Sequence, residues 1–208
     1  GADSKLLRKL VFDKTHARNQ RAKARSERER LLLTLPIDDR ERIRALEDTK
    51  DGILRMCCEN RALAAEMLRS ELAKLDQLAG AFADLVASTH RFRQYLESVD
   101  TNEVEAEMRR YESIVKDAKD EDSRTLARKN LAVLTKRLEK LSEIYQFVDK
   151  AGGQIELIEN TFKLLGDQIV TMRSPRELGG QLDDLIDGVE AVRTTARETD
   201  ALMEAATQ

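Results

Sequence analysis

Apolar residues recur along this chain at alternating spacings of three and four, the signature of helices buried along one stripe. One stripe runs through Leu75, Leu78, Phe82, Leu85, Thr89, Phe92, Leu96 and Val99, broken only by the threonine. Leu131, Leu134, Leu138, Leu141, Tyr145 and Val148 form a second. Ile155, Ile158, Phe162, Leu165, Ile169 and Met172 resume it in a shifted phase. A last one follows Leu178, Leu182, Leu185, Val189, Val192, Ala196, Thr199 and Met203.

Stop and start signals divide these stripes. Pro36 interrupts a helix, and Asp38 with Glu41 has the spacing of a capping box, in which each side chain satisfies an orphan amide of a new N-terminus. Asp100 and Glu103 repeat that spacing. Ser174-Pro175-Arg176-Glu177 combines a serine cap with proline at the first helical position, where its missing N–H costs nothing. These signals predict helices near 3–33, 38–99, 102–172 and 175–206. The seam is lost over 116–125, where the third helix is expected to break or to continue as a solvated stretch, with Ser123 a candidate cap. Gly152-Gly153 costs about 1 kcal/mol per glycine in a helix interior and marks a kink, a close crossing or a weak turn.

The lengths imply an architecture. A second helix of 38–99 would be about 90 Å long at 1.5 Å per residue. A turn at 100–101 would fold the third helix back along it as an antiparallel coiled coil. The first and last helices would cover one end. The expected fold is all-α, a single elongated domain over 1–208, with a long hairpin on a four-helix up-down-up-down base.

Composition narrows the function. Charged residues make up 36%, aromatics only 4%, and tryptophan is absent, which favours rods and bundles over a deep ligand pocket. Adjacent Cys57 and Cys58 would point about 100° apart on a helix, too divergent for a mutual disulfide. They suggest a reducing, cytoplasmic setting. No metal, cofactor or small-molecule substrate is expected, because neither His16 nor His90 sits at a ligand spacing from them. No phosphate-binding loop or catalytic constellation appears either, so an enzyme is not expected. The chain opens at Gly1 without methionine and carries no signal peptide or spanning apolar run. A removed initiator, a tag remnant, or the loss of an upstream membrane anchor would each explain that start.

Charge is uneven. Residues 1–37 hold ten Lys/Arg against four Asp/Glu, while 176–208 hold three against eight. Lys14, Arg18, Arg21, Arg25 and Arg28 fall on one face of the first helix as a basic stripe. Three readings compete for it. It pairs with Asp183, Asp184, Asp187 and Glu190 of the last helix, meets anionic lipid head groups, or meets a nucleic-acid backbone. The absence of interleaved aromatics disfavours the last.

Residues 78–87 are apolar nearly all round, and a hairpin folded at 100 would set them opposite the polar 116–125. Either that register is wrong, or Leu78, Phe82, Leu85 and Val86 form an association patch. In the second case a charge at Val86 would alter association and spare the hairpin.

The function expected from these features is a non-catalytic structural and interaction protein: a helical scaffold that binds a protein partner or itself. The alternative is membrane association through the basic first helix. A basic segment ahead of long helical hairpins resembles, in shape alone, the membrane-shaping BAR and phage-shock families.

Overall fold

The computed structural model describes the backbone of residues 19–206 other than 21, 24 and 62–64, and the side chains in that span other than 65–68 and 202–206. Every element among the described residues is helical. Residues 25–34 form α1, with 19, 20, 22 and 23 also helical. Then come α2 (Ile37–Glu59), α3 (Ala65–Ser98), α4 (Thr101–Asp117), α5 (Glu121–Gln168) and α6 (Pro175–Ala206). The chain forms two compact units, 1–45 and 46–208, divided within α2. No helix among the described residues is long and apolar enough to cross a membrane.

In the first unit the break falls where the proline dictates. The Thr34 hydroxyl donates to the Leu31 carbonyl at 2.7 Å, ending α1, and Arg40 N–H donates to the Pro36 carbonyl at 3.0 Å, opening α2. Asp38 therefore lies inside the first turn, and the expected capping box at Asp38 and Glu41 is displaced. Leu35 and Ile43 are buried.

The second unit departs from the sequence reading in two places. The expected helix over 38–99 is interrupted at Asn60 and Arg61, so no 90 Å helix exists. Asn60 N–H closes the last turn of α2 on the Met56 carbonyl at 3.0 Å. Its side-chain amide donates to the carbonyls of Ile169 (2.9 Å) and Met172 (3.0 Å), beyond the end of α5. Asparagine suits a helix end because its short amide competes for backbone partners.

The fold-back is the second departure. It lies at 118–120, inside the doubtful stretch, and not at 100–101. Asp100 caps α4 as expected, accepting from Asn102 N–H (3.0 Å) and Glu103 N–H (3.3 Å). Yet it is α5 that packs along both α4 and α3. The reversal is built by Asp120, which accepts from Ser123 N–H at 2.7 Å, and by Arg124, whose guanidinium donates to the Ala118 carbonyl at 2.7 Å. Asp120, rather than Ser123, is the cap. Hydrogen bonding from the Ser123 side chain, and then from its backbone N–H, holds the Asp120 carboxyl below the usual aspartate range.

The double role of α5 explains the phase shift in its stripe. Ala127, Leu134 and Leu141, buried one heptad apart, serve the stretch alongside α4. Ile144, Phe147, Ala151, Ile155, Ile158, Phe162 and Leu165 are buried on a face turned by about 100°. That face serves the core shared with α3 and α6, where all three helices pack on one another. Gly152 and Gly153 are spanned by α5 without interruption.

Within this core α3 and α6 run parallel. Lys74–Asp183 (2.8 Å), Asp84–Arg193 (3.6 Å) and Arg91–Asp200 (3.2 Å) pair along their length at one constant offset. Thr89, the exception in the α3 stripe, is buried but satisfied, donating to the Leu85 carbonyl at 2.7 Å. Two glycines let α6 approach. A Cβ at buried Gly179 would lie 3.0 Å from the Glu71 carboxylate, and one at Gly188 would lie 2.9 Å from the Gln154 amide.

Asn60→Ala should lower the stability of the second unit by about 1–3 kcal/mol, because two carbonyls lose their donor. Asn60→Asp should do at least as much, since a carboxylate cannot donate to them. Urea denaturation reads this directly, and an unshifted midpoint would show that water replaces the amide without cost.

Candidate interaction surfaces

The expected association patch is core. Leu78, Phe82, Leu85 and Val86 are 1%, 0%, 1% and 3% exposed within the chain itself. Ala79, Ala81, Ala83 and Ala87 are buried with them. The all-round apolar character of 78–87 is that of a helix flanked by both α5 and α6, so the register expected from a turn at 100 was wrong. A helix hydrophobic on every side belongs inside a bundle.

Of the basic stripe, Lys14, Arg18 and Arg21 lie outside the described residues. Arg25 is exposed and reaches Glu29 at 3.6 Å, a solvated pair within its own helix. Arg28 is half-buried and also has a partner. Two large apolar side chains are exposed at the junction that follows, Leu33 at 74% and Ile37 at 64%.

Two of the four acidic residues expected to receive the stripe, Asp183 and Glu190, have partners on their own unit. Asp183 binds Lys74, which also reaches Glu71 at 3.2 Å. The hydrogen bonds to Asp183 and then Glu71 raise the Lys74 ammonium above its ordinary value. Glu190 pairs with Arg193 at 3.3 Å.

A shallow cleft opens between α3 and α6, lined by Asp84, Leu85, Ser88, Arg193, Ala196, Arg197 and Asp200. Arg193 is held between Asp84 and Glu190, and Asp200 accepts from Arg91. With Arg193 and Asp200 each engaged by an opposite charge, the cleft reads as the edge of an ion-paired helix seam.

Lys50 is the one buried cation among the described residues, and sequence reasoning missed it. Its ammonium lies 2.6 Å from Glu47 and 3.0 Å from Asp76, joining α2 to α3. Burial alone would lower its pKa, but hydrogen bonds and charge from Glu47 and Asp76 outweigh that and raise it. Cys57 is buried and Cys58 exposed, both free. Burial, and then Cys58, pushes the Cys57 thiol up, which makes it a poor nucleophile at neutral pH. Among the described residues no three His, Cys, Asp or Glu side chains gather where they could hold a metal.

Two further faces of α5 carry exposed apolar side chains. Beside α4, α5 exposes Leu126 (62%) and Val133 (66%), one heptad apart. The seam there is only half-buried at Met108, Tyr111, Ile114, Leu131 and Leu138. Farther along, the side of α5 opposite the core exposes Leu157 (50%) and Leu164 (47%), again one heptad apart.

No protein-family model matches the chain, and neither curated proteins nor solved structures provide a match.

Proposed function

We propose that the chain is a non-catalytic interaction module, a helical scaffold whose α4–α5 hairpin offers an antiparallel coiled coil to a protein partner. The observation that carries this is the exposed pair Leu126 and Val133 beside a seam that two helices leave half-covered. Two strands bury only one face of each helix, so apolar residues on a second face fit a third helix. The packed helices α3, α5 and α6 serve as the base, and the carboxylates act as solvating or pairing groups.

Capture experiments should compare wild type with Leu126→Glu/Val133→Glu, whose changes lie on exposed positions and leave folding intact. Wild type should retain a protein partner that the variant loses. Equal capture by both would remove the hairpin from the account.

Leu33 and Ile37, exposed beside the basic segment, favour a second reading in which this region touches an anionic membrane surface. On that reading the wild type should co-sediment with anionic vesicles and Leu33→Glu/Ile37→Glu should not. Wild type left in the supernatant would end it.

A further inference from the structure

We infer that the outward face of α5 is a self-association surface, on which a second copy of this chain docks antiparallel. The inference rests on the reading of the chain as an interaction module, and it names a different face and the partner. On a chain that is 36% charged, Gly153, Leu157, Asn160 and Leu164 form an uncharged strip at spacings of four, three and four. All four are exposed. They stand opposite the core-facing Ile155, Ile158 and Phe162 on the same helix. The strip has the a/d spacing of a coiled coil, and an asparagine among its apolar positions is a known means of fixing register. A Cβ added at Gly153 would meet nothing within 4 Å, so this helix-weakening glycine relieves no contact inside the chain.

Charge complementarity selects the partner. In an antiparallel pair related by a two-fold axis, the layer that sets Leu157 against Asn160 of a second copy also sets Leu164 over Gly153. The same register brings Lys150 to Asp167 and, on the flank, Glu156 to Lys163. Each pairing occurs twice by symmetry. None of these four charged residues makes an ion pair with another described residue of its own chain. A parallel pair would instead stack Lys150 on Lys150 and Asp167 on Asp167. One register thus seats a leucine in the space left by a glycine and matches these four charges in opposite-sign pairs. The contact is a single helix pair, short of the roughly 1,200 Å² typical of stable interfaces, so the dimer is weak and concentration-dependent.

Analytical ultracentrifugation of the full chain over a wide concentration range tests this. Wild type should show a reversible monomer–dimer equilibrium, and Leu164→Asp should abolish it. Lys163→Glu should weaken it by about tenfold, because it sets a carboxylate against Glu156 at both symmetry-related positions. Adding Glu156→Lys to Lys163→Glu should restore it, because the swapped pair meets again only in the antiparallel register. All of these positions are exposed, and circular dichroism confirms that each variant is folded. Wild type that stays monomeric at every concentration overturns the inference. Dimerisation indifferent to Leu164→Asp and to charge reversal overturns it too, while leaving the chain an interaction module. The capture experiment on Leu126 and Val133 judges that broader reading separately.

Discussion

A Val86→Glu chain should lose about 4 kcal/mol or more of stability, enough to unfold a marginal domain. Val86 is 3% exposed and sits among Phe82, Ala83 and Leu85, which are 0%, 1% and 1% exposed. An ionised carboxylate there would lose most of its water. Protonating it instead raises its pKa well above the usual range, at a comparable cost near neutral pH. Sequence alone led to the opposite outcome for this substitution, an intact hairpin with altered association. Urea denaturation followed by circular dichroism separates the two. A variant as stable as wild type would place residues 78–87 on the surface after all. Val86→Ala serves as control, since it removes only methyl groups and should cost far less.

Helix type and most helix ends were legible because they are set locally. Asp100, the Ser174-Pro175 pair and Pro36 act on their own backbone within a few residues, and each stands at or beside an end the structure contains. The break at Asn60 was not legible, because what fixes it is a tertiary bond to carbonyls 109 and 112 positions away. A lone asparagine in a helical run is otherwise a weak signal. The turn at 100–101 was over-read for a related reason. A capping box announces that a helix starts and says nothing about its direction relative to the one before. What did carry direction was the phase shift in α5, where buried positions swing from the line of Leu134 and Leu141 to that of Ile144 and Phe147. A change of buried face along one helix means a change of neighbour. Read that way, it points to one long helix serving two partners in turn. The surfaces were least legible. The α3 segment that looked exposed was core because its apolar residues cover every side. Leu157 and Leu164 widen the apolar face of α5 in the sequence, which suggests contact with further helices, yet the chain leaves both exposed.

The junction where α5 passes from one partner to the next should be the most sensitive point of the second unit. Phe92, near the end of α3, and Phe147, just past the phase shift of α5, meet edge-to-face with ring centroids 4.8 Å apart and planes at 83°. They are 0% and 2% exposed. Such a pair adds about 0.5–1.5 kcal/mol to what its burial contributes. Phe92→Ala should therefore cost about 3–5 kcal/mol, since the rigid helices around it cannot collapse into the cavity. Phe92→Leu keeps most of the volume and should cost about 1.5 kcal/mol or less. Hydrogen exchange should show where the loss is felt. Protection should fall across 85–96 and 141–155, the segments that share this contact, and fall less across 121–131, which pack with α4. A loss below about 1 kcal/mol for Phe92→Ala, or loosening confined to 121–131, would mean that the core does not close through these two rings.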